Sequence, residues 1–189
     1  MMNQHAHFFI AVPIKKAQKQ QLHNWIIKNK EQLKFQSFVH EEDYHITLAF
    51  LGAVPSREQL INLSNRVRDI VSKIPRFELK IDMINVFGKR ERPRIFWASV
   101  KESSHLQYLQ REVFHACLEE GFSLDKKPFN PHITLARKWK ADEPFSLTDW
   151  QQEFNLDISP FTVEEIHVYQ THLNRIPKYE AIEVLPLEN

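Results

Sequence analysis

The sequence predicts an α+β fold: a bilobal pseudo-two-fold duplication, with mainly antiparallel sheets forming a central cleft and helices on the outside. Three observations predict it. The pentapeptide His-Ile-Thr-Leu-Ala stands at 45–49 and again at 132–136, 87 residues apart in a chain of 189, so internal repetition organises the chain. Strand-like and helix-like stretches are mixed through both halves. No Gly-rich phosphate loop marks a parallel nucleotide-binding sheet. Residues 1–189 are accordingly read as one domain of two related lobes, with motif strands at 45–50 and 132–137.

Residues 7–14 form an apolar, β-prone strand closed by Pro13. A helix follows from Lys16 to about Leu33, with Leu22, Trp25, Ile26 and Leu33 on one face. Residues 44–51 are the first motif strand, ended by Gly52. Ser56 caps a second helix, Gln59 is placed to complete a capping box, and Leu60, Leu63, Val67, Ile70, Val71 and Ile74 keep a helical period. Residues 77–87 and 94–100 read as two strands joined by a basic turn at Gly88. Ser103 or Ser104 starts a third helix, with Leu106, Leu109, Val113 and Cys117 along one face and Gly121 at its end. Pro131 directly precedes the second motif strand, and strands at about 162–173 and 179–187 close the chain.

Composition narrows the function. A hydrophobic content of 42% with 26% charged residues is ordinary for a globular protein in water. A net charge of +1 excludes a general electrostatic nucleic-acid binder. The short basic clusters Lys89-Arg90-Glu91-Arg92-Pro93-Arg94, Lys126-Lys127 and Arg137-Lys138-Trp139-Lys140 suit a small phosphate ligand or a nucleic-acid end, although each alone also fits a solvated loop. Cys117 is the one cysteine, which excludes an internal disulfide and a cysteine metal cluster; its place on an apolar stripe marks an inert buried thiol. The first sixteen residues lack a signal-peptide pattern, and no apolar run reaches the roughly 20 residues of a membrane span. A cytoplasmic monomer without membrane contact is the expectation.

The repeated motif carries the chemistry. In a strand, His45, Thr47 and Ala49 share one face and Ile46, Leu48 and Phe50 the other; His132, Thr134 and Ala136 likewise oppose Ile133 and Leu135. Each strand thus offers an imidazole, a hydroxyl and a small alanine that leaves room for a ligand. Two such rows facing each other suit phosphodiester hydrolysis, which needs a base to take a proton from water and an acid to protonate the leaving oxygen. Histidine, with a pKa of about 6.5, serves both tasks. The threonine hydroxyls and a nearby arginine can donate to the non-bridging oxygens, so no metal or other cofactor is required.

A lone histidine in an alternating strand reads as structural, but duplication alone would preserve apolar positions more readily than polar ones. One nitrogen per motif is a poor zinc site. The remaining histidines, at 5, 7, 23, 40, 105, 115, 167 and 172, lack comparable context and read as surface or core residues. The sequence has no nucleophile elbow, no P-loop and no dinucleotide fingerprint.

The strings Tyr44-HITLAFLG-Ala53 and Pro128-Phe-Asn-Pro-HITLAR-Lys138 resemble the 2H phosphoesterase superfamily, within it the bacterial RNA 2′,3′-cyclic phosphodiesterases historically called 2′-5′ RNA ligases. HFFIAVPI at the start, Ile95-Phe-Trp-Ala-Ser-Val and Val168-Tyr-Gln-Thr-His-Leu with Tyr179 extend the resemblance over nearly the whole chain. It implies a V-shaped cleft between two lobes and metal-independent opening of a 2′,3′-cyclic phosphate to a 2′-phosphomonoester. It also implies His45 as general acid on the leaving 3′-oxygen, His132 as general base on water, and Thr47 and Thr134 on the phosphate. The motifs themselves would permit the two histidines to exchange roles. Arg137 and Phe50 follow the two pentapeptides at equivalent positions; the resemblance implies phosphate contact for Arg137 and nucleotide contact for Phe50. Strict alternation puts both on the wrong face, so they reach a ligand only if the strand bends there, and Phe50 also suits the core.

Expected partners are RNA ends or oligonucleotides with a 2′,3′-cyclic phosphate, or small cyclic nucleotides, with weak reverse 2′-5′ ligation conceivable. The alternatives are a phosphodiesterase for small cyclic nucleotides or ADP-ribose cyclic phosphate, and a non-catalytic module that binds nucleotides or RNA ends.

Overall fold

Strand β1 (His7–Pro13) contains five apolar residues in a row, Phe8 to Val12. A run without alternation suits a central strand covered on both faces. β1 is indeed flanked on both edges, by β3 (His45–Ala53) and by β9 (Glu165–Thr171), and β10 (Tyr179–Pro186) adds to β9. This sheet has the order β10-β9-β1-β3. A second sheet has the order β2-β7-β6-β5, from β2 (Phe35–Phe38), β7 (His132–Trp139), β6 (Arg92–Val100) and β5 (Ile81–Lys89). β4 (Phe77–Leu79) and β8 (Phe161–Val163) make a small third sheet. All pairings between these strands are antiparallel. The structure is a computed structural model that describes residues 6–189; His5, and the opening of the segment tested for a leader, lie outside the described residues.

Among the described residues, four α-helices flank the sheets: α1 (Lys16–Asn29), α2 (Arg57–Val71), α3 (Ser104–Glu119) and α4 (Leu147–Glu153). The apolar stripes do as their period requires. Leu60, Leu63, Val67 and Val71 of α2, and Leu106, Leu109, Val113 and Cys117 of α3, are buried. α2 packs on β10 and α3 on β3. Trp25 of α1 lies over Phe96 of β6, ring centroids 6.3 Å apart, and meets Phe154 edge-on at 5.0 Å. Ser56, Ser103 and Ser146 cap α2, α3 and α4, each hydroxyl accepting a backbone N–H three residues on.

Several sequence expectations shift. The lobes are not contiguous halves of the chain: β2 joins the sheet of the second motif, while β9 and β10 return to the sheet of the first. α1 stops at Asn29, and Leu33 is buried just beyond its end. The stretch 77–87 divides between β4 and β5, and 162–173 between β8 and β9, because each short leading piece pairs with the other outside the two main sheets. The capping box at α2 is half formed. Gln59 donates its side-chain amide to the Glu120 carbonyl at 2.8 Å, tying α2 to the end of α3. β2 and α4 are elements that the sequence reading lacked.

Candidate active site

The two motif strands approach each other between the sheets, and each breaks alternation at the same place. Along β7, Thr134 pairs with Trp97 and Ala136 with Phe96, which leaves Leu135 as an extra residue. Along β3, Thr47 pairs with Ala11 and Ala49 with Ile10, which leaves Leu48 extra. Each is a β-bulge, which resets the facing of every later side chain. The local sequence favours it. Strict alternation after Thr134 would turn Ala136 outward and bury Arg137, at a steep desolvation cost. With the bulge, Leu135 and Ala136 both enter the core and Arg137 is exposed.

The expectation that Ala49 and Ala136 complete the polar rows is therefore wrong; they are 5% and 0% exposed and belong to the hydrophobic core. Conversely, Phe50 and Arg137 return to the side of the histidines. Phe50 is 56% exposed, with the ring of His7 edge-on at 5.7 Å. Lys138, next to Arg137, has φ 59°, a left-handed conformation that costs a lysine about 1–2 kcal/mol. Local strain thus sits where the guanidinium is presented.

Both imidazoles are anchored through Nδ1 in the same way. His45 Nδ1 lies 2.7 Å from the Asp43 carbonyl, and His132 Nδ1 lies 2.7 Å from the Asn130 carbonyl. A carbonyl oxygen only accepts, so each Nδ1 carries the proton and each Nε2 is left with a lone pair. His45 Nε2 is 3.0 Å from Thr47 Oγ1. The turn before β3 is itself anchored: the buried carboxylate of Asp43 accepts backbone N–H bonds from Lys178 at 2.9 Å and Tyr179 at 3.0 Å.

Each histidine has an aromatic wall that the sequence reading did not assign. Phe9, Tyr169 and Tyr179 surround His45 at centroid distances of 4.8, 6.0 and 5.2 Å. Phe87 and Trp97 surround His132 at 5.0 and 5.8 Å. His167, read as featureless, holds Tyr169: its Nδ1 is 3.1 Å from the Tyr169 hydroxyl and its Nε2 2.8 Å from Glu165. A signal for the anchoring turns was present, since an Asp or Asn precedes each motif histidine by two residues. The aromatic neighbours come from other strands, so no local pattern announces them.

These surroundings set the charge state. Burial among the rings lowers the His45 pKa to about 4, against the opposing Asp43 carbonyl bond, and the nearby His132 and Arg137 charges push the same way. Burial also lowers the His132 pKa, opposed by the Asn130 carbonyl bond and assisted by Arg137. Arg137 thus acts electrostatically on both histidines, and on Tyr179. Thr134 is half-buried beside Trp97. A cavity of about 830 Å³ is bordered by Thr47, Phe50 and His132, and its lining does not include His45, Thr134 or Arg137. That volume suits a small organic ligand.

Two facing sheets, each supplying one His-x-Thr strand, place the chain in the 2H phosphoesterase class. It belongs to the 2′-5′ RNA ligase superfamily, which its sequence matches over residues 12–175. An RNA 2′,3′-cyclic phosphodiesterase of Geobacillus stearothermophilus is 43% identical over 182 residues. That match takes in 96% of this chain but 57% of the relative, so the chain spans little more than half that protein's length. An enzyme of the same name from Bacillus subtilis is 38% identical over 176 residues, 93% of either chain. Among solved structures, Escherichia coli LigT complexed with 3′-AMP superposes with a TM-score of 0.78 at 24% identity, over 97% of this chain and 98% of that one. A Thermus thermophilus protein, TT0787, gives 0.78 at 20% identity over the same shares. These two likenesses speak to the fold.

Proposed function

We propose that residues 1–189 act as one domain that hydrolyses 2′,3′-cyclic phosphate ends of RNA to 2′-phosphomonoesters. The carrying observation is the matched pair of imidazoles, both held through Nδ1, so that both Nε2 atoms carry the lone pair that proton transfer uses. His132 Nε2 takes a proton from water as its oxygen attacks phosphorus. His45, protonated at Nε2, gives that proton to O3′ as the P–O3′ bond breaks. His45 ends neutral and His132 protonated, and exchange with solvent restores both.

Thr47, Thr134 and Arg137 hold the non-bridging oxygens, and Phe50 offers its exposed ring to the nucleotide. Thr47 also orients the acid while it is neutral: its hydroxyl donates to His45 Nε2 across 3.0 Å, and protonation of Nε2 releases that hydroxyl to the phosphate. The acid needs the anionic substrate. The phosphodiester charge beside His45 opposes the burial that keeps it neutral in the free protein. High identity to the Bacillus subtilis RNA 2′,3′-cyclic phosphodiesterase over nearly the full length of both chains supports the substrate.

The test is incubation with an oligoribonucleotide ending in a 2′,3′-cyclic phosphate, with and without EDTA, with the 2′- and 3′-monoesters resolved. The expected product is the 2′-monoester in both conditions. Binding without any monoester would leave only a nucleotide-binding module.

A further inference from the structure

We infer that Arg94 forms a second phosphate site, which takes the phosphodiester on the 5′ side of the cyclic end and makes the enzyme favour an RNA strand over a mononucleotide. This rests on the cyclic phosphodiesterase reading above.

Strict alternation in β6 would send Arg94 to the face opposite Ile95. Instead Phe87 pairs with Ile95 and Gly88 with Pro93, which leaves Arg94 as the extra residue of another bulge. Gly88 permits the close approach. Its φ is 95°, and a Cβ there would lie 3.1 Å from the Arg94 nitrogen and 3.2 Å from the Arg94 Cβ. Arg94 and Ile95 consequently both line the cavity that Thr47 and His132 border. Bulges beside a site re-aim side chains; here the re-aimed group is a guanidinium.

Of the two cations that line the cavity, Arg94 and Lys127, Arg94 is the one outside an ion pair among the described residues. Arg92 donates to the carbonyls of Ala141 and Asp142 at 3.2 and 3.0 Å. Lys127, the other cation lining the cavity, pairs with Asp125 at 3.0 Å. Arg94 is exposed, and among the described residues it forms no ion pair. The cavity walls include Phe50, Phe87, Phe114 and Phe129, rings on which a base of any identity can stack.

An apolar chamber bordered by His132 and Thr47, with one cation outside an ion pair, matches a nucleoside flanked by two phosphates. A mononucleoside cyclic phosphate has one phosphorus, and the next in a strand is the 5′ phosphodiester. The two-phosphate match therefore selects a chain.

The test compares kcat/KM for adenosine 2′,3′-cyclic phosphate with that for a dinucleotide ending in the same group, over a range of salt, in wild type, Arg94→Ala and Arg94→Lys. Wild type should favour the dinucleotide by roughly tenfold, from one charge-assisted contact. The alanine variant should abolish that preference and the lysine variant should keep most of it. The dinucleotide's salt slope should exceed the mononucleotide's by about 0.7 in wild type and the lysine variant, and not in the alanine variant. Should the alanine variant melt early, Arg94→Gln repeats the comparison at conserved size. A wild type that does not distinguish the substrates, or a preference that survives charge removal, overturns the assignment. Wild type inactive on both substrates overturns instead the activity on which it rests.

Discussion

Leu48 and Leu135 occupy the same position in two different strands: each is the unpaired residue of a bulge that follows a His-x-Thr sequence. The duplication thus preserves a backbone irregularity as well as a sequence. Its effect is to hand the next outward position to different residues, Phe50 in one copy and Arg137 in the other. One lobe presents a ring and the other a cation, an asymmetry that the identical pentapeptides conceal.

Arg137→Ala should lower kcat/KM by roughly 10- to 100-fold, the loss of a charged hydrogen-bonding partner on phosphate. Arg137→Lys should recover only part, since an ammonium does not reproduce the bidentate fork. Steady-state kinetics on adenosine 2′,3′-cyclic phosphate measures both. An alanine variant within about twofold of wild type would show that the bulge presents Arg137 for some other purpose.

The pH dependence follows from the burial of both histidines. The His45 pKa lies at about 4 and that of His132 below its ordinary value. In the free protein at pH 7 both are therefore neutral, and the acid is a minority form. The kcat/KM profile, which reports the free enzyme, should be a bell with both limbs below about pH 6.5. Bound phosphodiester favours the cationic forms, so the kcat profile should lie at higher pH. A kcat/KM that climbs steadily from about pH 6.5 to 9 contradicts this electrostatic picture. The same depressed values make folding stability fall as pH drops from about 6.5 towards 4, where the unfolded chain binds more protons, and remain complete above 6.5.

Asp43 is a positioning residue. Its carboxylate holds two backbone N–H groups of the Lys178–Tyr179 segment while its carbonyl holds His45. Asp43→Asn substitutes a single acceptor oxygen for two and turns an amide donor towards an N–H. Thermal denaturation should register a loss of about 1–3 kcal/mol. Activity should fall in the same variant, with the acidic-side limb of the profile displaced, whereas a purely structural role would leave the limb in place.

Cys117 should be silent. It is fully buried on α3, and burial pushes its thiol up to about 12. Iodoacetamide should label the protein only after unfolding, and Cys117→Ser should retain turnover. Rapid labelling of the native protein would place Cys117 in a more open environment than α3 provides.

Much of this architecture was legible in the sequence because its signals are local. The stripes of α2 and α3 bury as their period requires, and the histidine pair is announced by an identical repeat. What escaped depends on partners distant in the chain. A bulge at Leu48 or Leu135 is defined by the register of β1 or β6, which alternation within one strand cannot reveal. The exchange of β2 and of β9–β10 between sheets is likewise a matter of pairing. The four residues of β2 have too few positions for a pattern. Tyr169 and Tyr179 reach His45 from the end of the chain, and Asp43 acts through backbone groups 135 and 136 residues away.

The central claim is that both histidines are needed for one reaction at phosphorus. The direct measurement is single-turnover cleavage of an oligoribonucleotide with a 2′,3′-cyclic end, by wild type, His45→Ala and His132→Ala. Wild type should yield the 2′-monoester, and each variant should be slower by roughly 10²- to 10⁴-fold while melting at a comparable temperature. Undiminished cleavage by either variant would contradict the claim.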